Sequence, residues 1–346
     1  MSSVSALIAV RLSATCAMLD LLFMLTLICG CGCNETQPKI VRIAYVSGPS
    51  ELLHQAALRF ADQVKIGSDG KMIVRLYPSG QLGNERELIE GLKLGSVDMI
   101  VTGLAIIGWY APEYGAFEAP FLWRDYAHVE YVWNGAIGEE VRRVIQKNSG
   151  ARLMQPWFRG PRYLTTTSRK VQTLEDLKGL KLRVPELDIY MKSWQVFGAN
   201  VTPIPFTDIF MALKLGVVEG QENPLATICA NHLQEVQKYI METRHLISFY
   251  VPSIGPNLER RFTSEERELL LRVLDDTTRW HNLEVERAEA GYRQKLEADG
   301  AEFVAIDPEL FRELARERIP LQFEKVWKPG LYKLISESCS KMYENL

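Results

Sequence analysis

Leu180–Trp194 reads LKLRVPELDIYMKSW, and Pro203–Ile228 reads PIPFTDIFMALKLGVVEGQENPLATI. The first run opens on an apolar strand, Leu180–Val184, which Pro185 stops just after Arg183. Leu187–Phe197 then has helical spacing, Asn200–Pro203 is a second short strand, and Thr207–Leu215 a second helix. The Gly-Gln-Glu-Asn-Pro segment at 220–224 has turn chemistry and reads as a polar loop carrying Asn223. Strands alternating with short helices build a βαβ sheet, and ligands of such sheets sit beyond the carboxyl ends of the strands. Arg183 belongs at such an end. Its planar fork matches a carboxylate with two parallel hydrogen bonds, which lysine cannot do. Taken alone, Arg183 also suits a structural ion pair, and Asn223 also suits a cap on its own turn.

The alternation extends in both directions. Ile40–Val46, Met72–Tyr77, Val97–Thr102 and Met154–Trp157 read as strands, and Glu51–Lys65 and Glu85–Leu94 as helices. The chain therefore reads as an α/β protein in two halves, dividing near Arg159–Arg162. Arg162 falls in a Gly-Pro turn at that junction, where a solvated hinge residue is the alternative to a second ligand-binding arginine. Pro203-Ile-Pro fixes Phe206 as an apolar wall or as ordinary core. Glu85 follows the turn Tyr77–Gly83, where it either faces the cleft or favours the start of its helix.

Thr263–Asp299 is a different object. Thr263 and Glu266 fit a capping box, and Gly300 is a stop. The apolar stripe Leu270, Leu274, His281, Val285, Ala288, Tyr292, Leu296 is broken, charges cover the other faces, and Glu289 can pair with Arg293 one turn on. Such a polar helix bridges domains in solvent. The alternative is two helices with a break near Thr277–Arg279.

The chain has 346 residues and a formal net charge of −3. It is long enough for two cores, and its charge balance gives no general basic surface for nucleic acid. The first thirty residues read as a signal peptide, with Arg11 before the apolar run Leu19–Leu27. Ile28-Cys29-Gly30-Cys31 resembles a bacterial lipobox with Cys31 as the acylated residue, and ordinary cleavage near Cys33–Thr36 is the alternative. Cys229 and Cys339 are the cysteines left for the globular body, either bridged or as two isolated thiols. No spacing fits a metal site, and no cofactor motif is present.

Six segments together resemble one family. They are YPSGQLGNERELIEGLKLGSVDM (77–99), APFLW (119–123), GPRYLTT (160–166), LKGLKLRVPE (177–186), GANVTPIPFTDIFMALKLGVVEGQENP (198–224) and EVQKY (235–239). In this order they resemble the DctP-type substrate-binding subunit of tripartite ATP-independent periplasmic (TRAP) transporters, from Ile40 to the C-terminal region. The resemblance implies a two-lobed periplasmic-binding-protein-like α/β fold that closes over its ligand. In it, 40–159 with about 248–262 form one domain, and 160–247 with about 300–346 the other. Crossing strands join them, and a long helix at 263–299 spans both.

The same resemblance makes Arg183 the main partner of a ligand carboxylate, Arg162 a second cleft arginine with a more exposed contact, and Asn223 a contact to the same carboxylate. Phe206 would line the cleft wall, and Glu85 and Glu186 would touch the variable part of the ligand. Thr102–Trp109 lacks the acidic and basic pair that sialic-acid-binding members carry. The implied function is a periplasmic, lipid-anchored receptor that hands a small organic acid to two kinds of TRAP membrane subunit. An exported signalling receptor and an exported enzyme acting on a carboxylate are the alternatives. The chain offers no nucleophile, zinc or phosphate-loop motif for an enzyme.

Overall fold

A computed structural model describes residues 37–344, with side-chain surroundings up to Ser338. The leader, Cys31 and the side chain of Cys339 lie outside the described residues, while Cys229 is buried. From Lys39 on, the chain forms one compact unit. Its strands are β1 (Lys39–Ala44), β2 (Met72–Tyr77), β3 (Met99–Thr102), β4 (Arg152–Leu153), β5 (Trp157–Thr166), β6 (Lys181–Val184), β7 (Asn200–Pro203), β8 (Gly220–Pro224), β9 (Tyr239–Met241), β10 (Ile247–Ile254) and β11 (Glu302–Val304). Its helices are α1 (Leu52–Gly67), α2 (Glu85–Leu94), α3 (Ala105–Tyr110), α4 (Tyr126–Asn134), α5 (Ala136–Ser149), α6 (Asp188–Phe197), α7 (Ile209–Lys214), α8 (Leu225–Ala230), α9 (Pro256–Arg261), α10 (Ser264–Ala298), α11 (Glu309–Gln322) and α12 (Leu331–Glu344).

The sheet order β2-β1-β3-β10-β5-β8-β6-β7 shows how two half-sheets are joined. β1 pairs in parallel with β2 and β3, and β6 in parallel with β7 and β8. Between them run two long antiparallel strands. Val251–Ile254 of β10 pairs with β3, and Ile247–Tyr250 of the same strand pairs with Trp157–Pro161 of β5. The rest of β5, Arg162–Thr166, pairs with β8 on one edge, and Leu164–Thr166 also pairs with β9 on the other.

This topology corrects two expectations. The Gly-Pro-Arg segment is no turn, because β5 runs straight through it. Gly160 supplies the needed positive φ of 92°, and the ladder shifts register between Ser248 and Phe249 opposite it. Nor is 220–224 a loop. Every residue of β8 is buried, and pairing on both edges satisfies a backbone whose residue types favour turns.

α10 is one helix of 35 residues, spanning roughly 52 Å at the usual rise. Thr263 and Glu266 form the expected capping box. The helix does not break at Thr277–Arg279, and the buried Thr277 and Thr278 hydroxyls are satisfied within it by donating to the Val273 and Leu274 carbonyls at 2.8 and 2.9 Å. It is not bare in solvent either. Leu270 and Leu274 pack in a cluster with Val41, Leu53 and Phe60, and Leu296 in another with Tyr163, Ile228 and Leu233. Midway, Trp157 Nε1 of β5 donates to Thr278 Oγ1 at 2.7 Å, and the Trp157 ring stacks on His281. The expected Glu289–Arg293 pair is absent. Arg293 instead bonds Glu242 and Glu297, while Glu289 turns inward to accept from the Tyr163 hydroxyl at 3.4 Å.

Candidate functional site

β6 and β8 are parallel, so their carboxyl ends bring Arg183 and Asn223 to one side of the sheet. The antiparallel register of β5 sets Arg162 opposite Pro224, next to Asn223. These side chains line a cavity of about 50 Å³, together with Phe206, Tyr190 and Leu187 from the β6–β7 half. Val46, Ser47, Glu85 and Gly103–Ala105 line it from the β1–β3 half, and Arg159, Ser248 and Tyr250 from the crossing strands. Arg183 and Asn223 are each 2% exposed and Arg162 3%, so the two arginines are buried to the same depth.

Arg162 is already engaged by the protein. Its Nε donates to Glu222 Oε2, and its Nη2 to Glu222 Oε1 at 2.7 Å, the Glu222 carbonyl at 2.8 Å and Asn223 Oδ1 at 3.1 Å. Nη1 is the nitrogen that makes none of these bonds. Burial works against the Arg162 charge, but Glu222 and Tyr190 outweigh it and hold its pKa above the usual value. Burial likewise opposes the Glu222 carboxylate, and Arg162 and His245 overcome that and pull it down to about 2. His245 Nε2 lies 3.0 Å from Glu222 Oε2, and its Nδ1 lies 2.9 Å from Thr243 Oγ1. Burial lowers the His245 pKa, so the ring is neutral, with Nε2–H donating to Glu222 and Nδ1 accepting from Thr243.

Asn223 is oriented by a second chain of buried amides. Its Nδ2 donates to Gln221 Oε1 at 2.6 Å, Gln221 Nε2 donates to Thr165 Oγ1 at 2.8 Å, and Thr165 Oγ1 donates to Gln237 Oε1 at 2.9 Å. Asn223 Oδ1 is therefore committed to Arg162, and one N–H remains for the cavity.

Arg183 is arranged differently. Among the described residues its side chain makes one hydrogen bond, from Nε to the Ile204 carbonyl at 2.8 Å. That bond fixes the plane of the guanidinium and leaves its Nη edge. Burial pushes its pKa down to about 10, with Glu222 pulling the other way and Arg162 adding repulsion. It stays protonated at neutral pH as a desolvated cation.

Glu85 opens α2 and turns toward the cavity, so both readings of it hold. Its Oε1 accepts from the Gly103 amide at 3.2 Å, while the capping box of that helix is made by Asn84 and Glu87. Glu186 is exposed and does not line this cavity. It lines a smaller space of about 20 Å³ beside Arg183, Phe206 and Glu85, and its carbonyl accepts from Trp109 Nε1 at 3.3 Å across the rim. Sequence reading missed Glu222, His245, Glu118, Tyr190, Arg159 and Tyr250. Glu222 had a visible signal, since it stands next to Asn223 in a polar run between apolar stretches. The others are single residues in segments whose partners only the fold reveals. Arg159 packs its guanidinium 4.2 Å from the Tyr250 ring, and Tyr250 donates to the buried Glu51 at 3.0 Å.

Residues 43–325 match the family model of the bacterial extracellular solute-binding proteins, family 7 (DctP), and the chain belongs to that family. Proteins of this kind are the solute receptors of TRAP transporters, working with membrane subunits. A solute-binding protein of Roseobacter denitrificans is 29% identical over 301 residues, covering 87% of this chain and 92% of the relative. The structure of a Roseobacter denitrificans TRAP solute-binding protein with bound L-galactonate superposes with a TM-score of 0.81 at 28% identity, covering 87% of this chain and 98% of that one. A Polaromonas protein bound to D-erythronate gives 0.80 at 29% identity, covering 86% and 98%. The sialic acid-binding periplasmic protein SiaP of Vibrio cholerae is 29% identical over 260 residues, covering 75% of this chain and 81% of SiaP.

Proposed function

We propose that this protein captures a small organic acid between the two half-sheets, with Arg183 as the carboxylate's main partner, and releases it unchanged to TRAP membrane subunits. The observation that carries this is the contrast in the cavity. Arg162 is neutralised by Glu222, whereas Arg183 presents a desolvated guanidinium edge with one backbone acceptor. A carboxylate completes that edge with two parallel bonds. Asn223 adds one N–H, Arg162 adds Nη1, and Phe206 shields the pair. A ligand held between the two half-sheets enters as the halves on either side of β5 and β10 move apart. The bound acids of the relatives, L-galactonate and D-erythronate among them, support this reading. The missing charge pair in Thr102–Trp109 speaks against sialic acid.

Calorimetry with an organic-acid panel tests the assignment. Arg183→Ala should lose about 2–5 kcal/mol of binding, roughly 30-fold to several thousandfold. Arg183→Lys should recover only part, because a point charge cannot make both bonds. Unaltered affinity in Arg183→Ala would sink the site, and a chemically changed ligand recovered from the protein would favour an enzyme. Small-angle scattering on the same samples should show a smaller radius of gyration with ligand. Export and lipid anchoring through Cys31 belong to the same proposal. Fatty-acid labelling should mark the wild type and be lost in Cys31→Ser, and an unlabelled wild type leaves ordinary cleavage.

A further inference from the structure

The wall supplied by the β1–β3 half carries two acidic side chains. Glu85 keeps one oxygen on the Gly103 amide and leaves the other toward the cavity. Glu118, at the end of the turn Pro112–Glu118, lines the same cavity beside Tyr190. We propose that Glu85 and Glu118 form a hydroxyl-reading wall, so that the cavity selects a monocarboxylate bearing hydroxyl groups and rejects the dicarboxylate of the same length. This rests on the carboxylate reading of Arg183 and specifies what the remainder of the ligand must be.

The charges on the cavity wall argue for it. The Arg162–Glu222 pair is internally balanced, which leaves Arg183 as the cation placed to take one carboxylate. Arg159 also lines the cavity, but its guanidinium is stacked on Tyr250 and held by Thr227 at 3.1 Å, on the side supplied by the crossing strands and away from the wall that carries Glu85. A second ligand carboxylate that extends from Arg183 toward this wall meets Glu85, a like charge, where juxtaposition is unfavourable. A ligand hydroxyl in the same place donates to Glu85. Glu118 supplies the complementary function. Burial pushes its carboxyl above the ordinary range, against the pull of Tyr190 and Arg162 and with help from Glu85. The Tyr190 hydroxyl is raised too, by burial first and Glu118 next. Burial thus favours the protonated form of Glu118, and a protonated carboxyl both donates to and accepts from a hydroxyl. Such polar walls discriminate strongly, because an unmatched ligand leaves buried groups unpaired.

Matched acid pairs read this directly. Calorimetry on the full-length protein would compare galactonate with galactarate and erythronate with meso-tartrate, which differ only in a terminal hydroxymethyl or carboxylate. At least one monoacid should bind about 100-fold or more tightly than its diacid. Glu85→Gln should narrow that ratio by about tenfold or more, whereas the near-isosteric Glu118→Gln should move it by less than about threefold. Thermal melts of both variants would confirm that they fold. A diacid binding as tightly as its monoacid would place its second carboxylate on Arg159 and overturn the proposal. Glu118→Gln favouring diacids as strongly as Glu85→Gln would overturn the role of Glu118 as a neutral reader. Those results leave the carboxylate reading standing if Arg183→Ala still abolishes binding. If no acid binds and Arg183→Ala changes nothing, the carboxylate reading falls and the proposal with it.

Discussion

The seam between β5 and β8 and the end of β6 each bury one arginine, at 3% and 2% exposure, and treat its charge in opposite ways. At the seam, Glu222 answers Arg162 with both oxygens, and His245 and Thr243 complete the remaining valences. At the end of β6, Arg183 has the Ile204 carbonyl, and desolvation draws its pKa down. The same residue type at the same depth is part of the fold in one case and a ligand partner in the other. What separates them is whether the protein itself supplies the counter-charge. Burial alone therefore does not mark a binding residue.

The largest expected effect tests that division in the unliganded protein. Glu222→Ala leaves Arg162 as a buried unpaired cation and should cost about 3–5 kcal/mol in urea unfolding. Arg183→Ala removes a cation the fold does not neutralise, and should leave the stability of the unliganded protein unchanged or slightly higher. Glu222→Gln keeps the shape and separates lost charge from lost packing. Equal losses in Glu222→Ala and Arg183→Ala would break the comparison, because Arg183 would then be structural too.

The two regions also differ in how much of them was legible. β6 could be read directly, since an apolar run ended by Pro185 has few alternatives, and Arg183 came with it. The capping box of α10 was legible for the same local reason. The seam was not. Gly160-Pro161 and Gly220–Pro224 are composed of turn residues, and only long-range pairing makes them strands. Because β8 read as a loop, Glu222 was not singled out, and the residues alone left Arg162 open between a hinge residue and a second ligand-binding arginine. α3 hid for another reason. It has six residues and is too short to show a helical period, and nothing local marks where it packs.

Acid should sharpen the contrast at an intermediate size. Glu222 has a folded pKa of about 2, below the ordinary value of 4.5, so its stabilisation is present above pH 4.5 and lost as pH falls toward 2. His281, against Trp157, is lowered from 6.5 to about 4 by burial. Its neutral form belongs to the fold, and its contribution is complete above pH 6.5 and lost as pH falls to 4. Stability should therefore decline in two steps, each on the order of 3 kcal/mol. His281→Gln should flatten the upper step and Glu222→Gln the lower. A lower step that survives Glu222→Gln would mean the seam is not what acid dissolves, and a lower step lost in Arg183→Ala would merge the two regions.

The smallest effect concerns the link between seam and ligand. Gln221 touches neither Arg183 nor the cavity, yet its Oε1 takes the Asn223 Nδ2 proton at 2.6 Å and so fixes which way the amide faces. Gln221→Leu removes that acceptor with a side chain of similar size. Asn223 can then rotate, and its cavity-facing N–H is no longer held in place for the carboxylate. The loss in affinity should be about 1 kcal/mol, roughly fivefold, the worth of one ordinary hydrogen bond. Arg183 remains intact, so the loss should fall well short of that in Arg183→Ala. A double-mutant cycle isolates the route. In an Asn223→Ala background, Gln221→Leu should weaken binding no further, because the amide it orients is gone. If the two losses add, Gln221 acts on the site by some path other than Asn223. If Gln221→Leu alone changes nothing, the seam only supports the fold, and the carboxylate is read by Arg183 without help from β8.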